Sequence, residues 1–229
     1  MKTTTQLSFK FIAVVLLSAC SIQMVRGQEA IQSTEAAAMN AGQMSYMVPQ
    51  KPEDISPLLN GEKIPMAMLT NVMGKSFDLN KAVAEKPTIL IIYRGGWCPY
   101  CSRQLSGLQQ AAPELENLGY QLIAVSTDAP EGLTQSATKE KLSYTLLSDA
   151  DLNLSKQLGI AYKAPKGYWE MLPKTTGGKD SDLLLPVPSV FILDKTGTIH
   201  FEYINPDFTQ RLNPELLKTV AASLQKDLN

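Results

Sequence analysis

The sequence contains little histidine, little cysteine and almost no net charge. One histidine, His200, and three cysteines occur among 229 residues, and the formal net charge is -1. This balance lacks the excess of lysine and arginine that marks nucleic-acid-binding proteins, so no nucleic-acid partner is expected. After the first twenty residues no apolar run is long enough to span a bilayer. The length suits one well-packed domain with additional segments.

The N-terminus has the pattern of an export signal. Lys2 and Lys10 accompany a short apolar run, 11–19, which is too short for a membrane-spanning helix. The run ends in Leu17-Ser18-Ala19-Cys20, which resembles the signal box of bacterial lipoproteins. That resemblance implies cleavage after residue 19 and a lipid on Cys20. An ordinary signal peptide, cut after residues 25–27, is the alternative.

Either signal predicts export to the cell envelope of a bacterium. The lipoprotein signal further predicts a membrane-anchored protein facing the periplasm, where disulfides persist. We therefore divide the chain into a signal peptide at 1–19, a flexible tether at 20–48 that is rich in Gln, Ala, Ser and Met, and a folded domain at 49–229.

Apolar patterning within the domain predicts an α/β fold with a mixed sheet flanked by helices. Residues 88–93 and 121–126 are near-continuous apolar runs, typical of strands covered on both faces. Leucine and alanine recur at helical spacing over 99–118, which predicts a long amphipathic helix. Other predicted strands are 65–69, 145–147, 189–194 and 198–203; other predicted helices are 77–84, 130–142, 150–158 and 214–228; and 161–185 is predicted to be a loop-rich insertion.

Cys98 and Cys101 stand where a buried strand passes into the long helix. Unpaired amide groups and the helix dipole favour negative charge at a helix N-terminus, which lowers the pKa of a thiol there. Pro99 suits the first helical turn, because its missing N–H is not needed there. Cys101 lies about one turn further on, close enough for a disulfide. Cys98 is therefore predicted to be the attacking thiol and Cys101 the resolving one.

Three other interpretations of the cysteine pair are weaker. Half of a zinc site lacks ligands, since His200 is the only histidine and Cys20 belongs to the signal; no metal is expected. A purely structural disulfide closing so short a loop would remove little entropy from the unfolded chain. Inert buried thiols do not suit an oxidising compartment.

The segment Trp97-Cys98-Pro99-Tyr100-Cys101 resembles the active site of thioredoxin-fold oxidoreductases, and Val187-Pro188-Ser189 resembles the cis-proline segment of that superfamily. The resemblance implies a thioredoxin-like fold in which Pro188 is cis and faces the cysteines. It also implies that Val187 offers backbone groups to a bound peptide or thiol. Trp97, Pro99 and Tyr100 are expected to contact the partner.

A longer stretch, about 58–224, is similar to the peroxiredoxin-like branch, known as alkyl hydroperoxide reductase/thiol-specific antioxidant. The similarity rests on the box at 93–101, the Asp-Lys-Thr-Gly turn at 194–197 and the segment at 205–211. It implies N-terminal additions of the peroxiredoxin type and no cofactor. It further implies that Cys98 reduces a peroxide, Cys101 closes a disulfide and a thioredoxin-type dithiol regenerates the pair.

The sequence departs from the usual peroxiredoxin signature before Cys98. The signature has a proline seven residues, and a threonine or serine three residues, before the peroxide-reactive cysteine, whereas Ile91 and Gly95 stand here. Positive charge for the thiolate could come from Arg94 or Arg211. The alternative functions are a protein disulfide oxidoreductase of the cell envelope and a non-enzymatic thioredoxin-fold binding lipoprotein.

Overall fold

A computed structural model describes residues 47–228 of the chain. The predicted signal peptide, Cys20 and nearly all of the predicted tether lie outside the described residues. Within 47–228, no helix combines the length and the apolar character needed to cross a membrane.

Residues 47–228 form nine strands and six α-helices. The strands are β1 (Met68–Asn71), β2 (Ser76–Asp78), β3 (Thr88–Tyr93), β4 (Gln121–Ser126), β5 (Thr145–Ser148), β6 (Ala161–Lys163), β7 (Leu184–Pro186), β8 (Ser189–Leu193) and β9 (Ile199–Ile204). The helices are α1 (Leu79–Glu85), α2 (Pro99–Asn117), α3 (Pro130–Glu140), α4 (Asn153–Gln157), α5 (Leu172–Thr175) and α6 (Pro214–Leu224).

Seven of the strands form one mixed sheet in the order β2-β1-β5-β4-β3-β8-β9, with β6 and β7 paired separately. The central strand, β3, runs parallel to β4 and antiparallel to β8. Ile89 and Ile91 pack in a core with α2 and α6 on one face of the sheet. Leu90 and Ile92 pack in a second core with α1 and α4 on the other face. Burial on both faces explains why β3 is apolar without interruption.

The longest predicted elements are confirmed to within a few residues, and three short ones differ. The strand predicted at 65–69 begins at Met68, and Phe77, predicted to be helical, lies in β2. Helix α1 begins after Asp78 because the Asp78 carboxylate accepts a hydrogen bond from the backbone N–H of Lys81 at 3.0 Å.

The helix predicted from residue 150 starts at Asn153. Leu152 has a left-handed backbone conformation (φ 56°), and the buried Asp149 carboxylate accepts hydrogen bonds from the N–H groups of Leu154 and Ser155 at 2.9 and 2.8 Å. The predicted loop-rich insertion also contains more structure than expected. It holds β6, α5 and most of β7, and β6 and β7 pair in antiparallel fashion.

Candidate active site

Cys98 lies between the end of β3 and the start of α2, as predicted. It is the residue that precedes the helix, with extended backbone (φ -89°, ψ 118°), and Pro99 is the first helical residue. The Cys98 carbonyl accepts hydrogen bonds from the N–H groups of Cys101 and Ser102, both at 3.0 Å. Cys98 therefore stands at the positive end of the α2 dipole.

The loop that connects β3 to Cys98 is attached to the end of the neighbouring strand. The N–H of Gly96 donates a hydrogen bond to Asp128 Oδ2 at 2.7 Å, and the Thr127 hydroxyl donates to the carbonyl of Arg94 at 2.9 Å. A Cβ atom at Gly96 would collide with Ser136 Oγ. A side chain at this position would therefore require Ser136 to move.

Asp128 is a buried acid, not the loop-solvating residue that acids near strand ends usually are. It is 3% exposed, and its Oδ2 also accepts a hydrogen bond from the Ser126 hydroxyl at 3.2 Å. Burial raises the pKa of Asp128 to about 6, although the hydrogen bonds from Gly96 and Ser126 oppose the shift. Its structural role is to position the loop.

The two thiols of the pair, both free cysteines, have opposite tendencies to ionise. The pKa of Cys98 is lowered to about 5, chiefly by a hydrogen bond from the Cys101 thiol and further by backbone N–H groups of α2 and by the charge of Arg94. Burial raises the pKa of Cys101 well above its usual value, and the hydrogen bond to Cys98 raises it further. At neutral pH, Cys98 is therefore a thiolate and Cys101 a thiol. The predicted roles require this difference in ionisation, because the attacking residue must be the thiolate.

Arg94 is 1% exposed and lies among three aromatic rings. Its Cζ is 5.1 Å from the ring centroid of Trp97, 4.6 Å from that of Tyr168 and 4.3 Å from that of Phe208. Among residues 47–228, no atom hydrogen-bonds to its Nε and no carboxylate forms an ion pair with it. Burying a guanidinium that has no ion pair among these residues costs several kcal/mol, which cation–π contacts of about 0.5–2 kcal/mol each offset in part. Its charge contributes to the low pKa of Cys98.

Cys98 is buried, although residues next to it in the sequence reach the surface. It is 2% exposed, whereas Pro99 is exposed and Trp97 and Tyr100 are half-buried. Trp97 packs at 45° on Tyr168 with ring centroids 5.6 Å apart. Tyr100 meets Phe208 edge to face, also at 5.6 Å. Trp97 and Tyr100, the neighbours of Cys98 and Pro99, thus pack against Tyr168 and Phe208, two aromatic residues that were not predicted from the sequence.

Two predictions for the segment before β8 are wrong. Every peptide bond in the described residues is trans, so Pro188 is not cis. Val187 donates its N–H to the carbonyl of Ile160 at 2.9 Å, and its own carbonyl accepts a hydrogen bond from the Ser189 hydroxyl at 2.9 Å. Both residues are buried, so Val187 has no free backbone group for a peptide. The physical reason is the insertion, which places Ile160 beside this segment and pairs β6 with β7.

Tyr168 and Phe208 were not predicted from the sequence as site residues. Phe208 belongs to the segment 205–211 that carried the family resemblance, which was its only signal. Tyr168 ends a short 3₁₀ turn (Lys166–Tyr168) in the insertion. His200 lies outside the site and contacts the Asp194 carboxylate at 3.1 Å. Within residues 47–228, no group of three His, Cys, Asp or Glu side chains is arranged to hold a metal.

Comparison with known proteins assigns the family. A sequence model of the AhpC/TSA family matches residues 60–202, more than half of the chain. The chain is 30% identical over 154 residues to peroxiredoxin Bcp of Escherichia coli (strain K12), in an alignment covering 67% of this chain and 89% of the relative. It is 25% identical over 158 residues to the chloroplastic peroxiredoxin Q of Sedum lineare, covering 69% of this chain and 75% of that protein.

Solved structures agree on the fold. Reduced Prx3 of Vibrio vulnificus in complex with hydrogen peroxide superposes with a TM-score of 0.61 at 18% identity, covering 72% of this chain and 99% of that one. Peroxidoxin BcpB of Mycobacterium tuberculosis has a TM-score of 0.59 at 16% identity, covering 74% and 97%. The comparisons favour neither the disulfide oxidoreductase nor the binding lipoprotein. The chain belongs to the AhpC/TSA family, and it is a peroxiredoxin-like oxidoreductase, a thiol peroxidase with a thioredoxin-like fold.

Proposed function

We propose that Cys98 is the residue that reduces peroxide, that Cys101 resolves the product as a disulfide, and that a thioredoxin-type dithiol regenerates both. One observation carries this assignment: Cys98 stands immediately before the first residue of α2, whereas Cys101 is completely buried within the helix. These positions lower the pKa of Cys98 and raise that of Cys101. Only a thiolate attacks efficiently, so the order of the two steps follows from which thiol is ionised.

The chemistry proceeds in three balanced steps. The Cys98 thiolate attacks one peroxide oxygen, the O–O bond breaks, and the departing oxygen takes up a proton and leaves as water or alcohol. Cys98 is then a sulfenic acid. The Cys101 sulfur attacks the Cys98 sulfur, and water leaves. The reductant's two thiols break the disulfide, are themselves oxidised and restore two thiols.

Arg94 is proposed to supply the polar contact that the missing threonine or serine would otherwise make. Gly95 occupies the position of that hydroxyl. The guanidinium of the preceding residue is positively charged and buried, and no carboxylate among residues 47–228 forms an ion pair with it. Arginine remains protonated at all relevant pH values and presents five N–H donors. It can therefore stabilise the negative charge that develops on the peroxide oxygens.

We also propose that the protein acts in the bacterial cell envelope, anchored to a membrane by a lipid on Cys20. The support is the sequence alone: the short apolar run at 11–19 and Leu17-Ser18-Ala19-Cys20. To test this, the full-length chain and Cys20→Ser are expressed in bacteria supplied with labelled palmitate. Label and membrane association should both be lost in Cys20→Ser. An unlabelled wild-type chain would contradict the anchor.

The peroxidase assignment is tested by rapid mixing of the reduced chain with hydrogen peroxide. Cys20→Ser serves as the background, so that only two thiols remain. Formation of the disulfide should be orders of magnitude faster than oxidation of a free thiol, and Cys98→Ser should abolish it. Cys101→Ser should instead stop at a sulfenic acid that a dimedone-type reagent traps. A rate equal to that of a free thiol would refute the assignment.

A further inference from the structure

A different arginine acts on each cysteine of the pair. Arg94 acts on Cys98, whereas Arg211 Nη2 lies 3.6 Å from Cys101 Sγ, within hydrogen-bonding distance for sulfur. Cys101 is completely buried (0% exposed), and its sulfur must nevertheless become negatively charged to attack Cys98. A buried thiolate without a positive charge nearby is strongly disfavoured.

We propose that Arg211 is a catalytic residue of the resolving step, stabilising the Cys101 thiolate as it attacks oxidised Cys98. This role rests on the proposed function of the pair. Hydrogen bonds from a guanidinium to an anion are about twice as strong as those between neutral groups. The contact joins residues 110 positions apart in the sequence, so it exists only in the folded protein.

The local structure holds the Arg211 guanidinium against Cys101. Its Nη1 donates a hydrogen bond to the carbonyl of Gln210 at 2.9 Å, and its Nε is buried with no hydrogen-bond partner among residues 47–228. The preceding turn is fixed by Asp207, whose carboxylate accepts hydrogen bonds from the N–H and hydroxyl of Thr209 at 2.9 and 2.7 Å. No carboxylate among the described residues forms an ion pair with Arg211, although the charge of Arg211 also lowers the pKa of Asp207.

The same geometry explains why Cys101 stays protonated until it is needed. While Cys98 is a thiolate, it accepts the Cys101 hydrogen bond, and its negative charge also raises the pKa of Cys101. Conversion of Cys98 to a sulfenic acid removes that charge. Burial still raises the pKa of Cys101, while the charge of Arg211 still lowers it. Oxidation of the first sulfur thus prepares the second.

The reaction consumes one thiol and one sulfenic acid. The Cys101 thiol loses its proton, the new S–S bond forms, the S–O bond of Cys98 breaks, and the hydroxyl leaves with that proton as water. A cavity of about 350 Å³ is lined by Tyr100, Arg103, Gln104 and Arg211 among others. It gives solvent a place next to Arg211.

The test isolates the Cys101 step with 2,2′-dithiodipyridine, which requires no peroxide. Cys98 attacks the reagent and releases one pyridine-2-thione; Cys101 then displaces the second. Arg211→Met should slow the second release about tenfold at neutral pH and raise the midpoint of its pH profile by about one unit, because one pKa unit changes the thiolate fraction tenfold. Arg211→Lys should recover part of the loss. The control is Arg103→Met. Arg103 lines the same cavity, and its Cζ lies 5.6 Å from the ring centroid of Tyr100.

A second arm uses hydrogen peroxide. Arg211→Met should leave the oxidation of Cys98 within about twofold of the wild-type rate, while more sulfenic acid is trapped and more sulfinic acid forms. A second release at the wild-type rate, or no recovery in Arg211→Lys, would overturn the role of Arg211. If peroxide fails in the unsubstituted chain while the dithiodipyridine result holds, the peroxidase assignment fails and the role of Arg211 stands.

Discussion

Asp128 Oδ2 accepts a hydrogen bond from the backbone N–H of Gly96 at 2.7 Å, so the end of β4 holds the loop that precedes Cys98. The adjacent parallel strands β3 and β4 therefore position the reactive thiol together. A buried carboxylate in this place has consequences for both stability and geometry, and they can be separated by substitution.

Asp128→Asn should change the pH dependence of stability. The pKa of Asp128 is about 6 in the folded protein and about 4 in an unfolded chain. The folded state binds more protons between these values, so the contribution of Asp128 to stability falls as pH rises from 4 to above 6. Relative to the wild type, the free energy of unfolding of Asp128→Asn should increase by on the order of 2 kcal/mol between pH 4 and pH 7. Urea unfolding across this range measures it, and parallel pH curves would contradict the prediction.

Arg94→Met should separate activity from stability. Arg94 is a buried charge with no ion pair in the part of the chain that the structure describes, so an apolar side chain of similar length should leave the free energy of unfolding unchanged or higher. The rate of Cys98 oxidation by peroxide should fall about a hundredfold, the effect of losing one preorganised donor at a site of developing charge. The exposed Arg103 provides the control, and Arg103→Met should retain the rate. A stability loss with unchanged rate would show that Arg94 is structural.

Removing the Cys101 thiol should make Cys98 less acidic. Because the hydrogen bond from Cys101 is the largest cause of the low pKa of Cys98, Cys101→Ala should move the midpoint of Cys98 alkylation upward from about 5. Cys101→Ser keeps a hydroxyl donor and should shift it less. Iodoacetamide alkylation between pH 4 and 9 measures both. Equal midpoints in all three chains would show that the helix and Arg94 alone ionise Cys98.

Gly96→Ala should destabilise the protein through a single collision. The added methyl meets Ser136 Oγ, and the backbone of Gly96 is otherwise accessible to alanine. We expect a loss of about 1–3 kcal/mol in the free energy of unfolding. Ser136→Gly in the same chain should restore much of it, giving a measurable coupling energy. Gly167→Ala, which meets no atom within 4 Å, is the control.

Elements with a strong local signal could be predicted, and elements built by distant contacts could not. The uninterrupted apolar run of β3 and the leucine spacing of α2 are local patterns that reflect burial directly. The start of α4 depends instead on Asp149, whose side chain caps it from four residues before Asn153. The hydrogen bond of the Val187 N–H depends on Ile160, and the insertion between the two residues has no periodic apolar pattern that would predict β6 and β7.

The cysteine pair was determined by the sequence itself, because a three-residue spacing behind a buried strand and around Pro99 leaves the chain little choice of local geometry. Only the tertiary structure determined which of the two arginines lies near Cys98 and which near Cys101. Arg94 and Arg211 were equivalent candidates in the sequence, and packing placed one among Trp97, Tyr168 and Phe208 and the other on Cys101. Coulombic interactions depend on distance and burial, and distances between residues far apart in a chain exist only once it has folded.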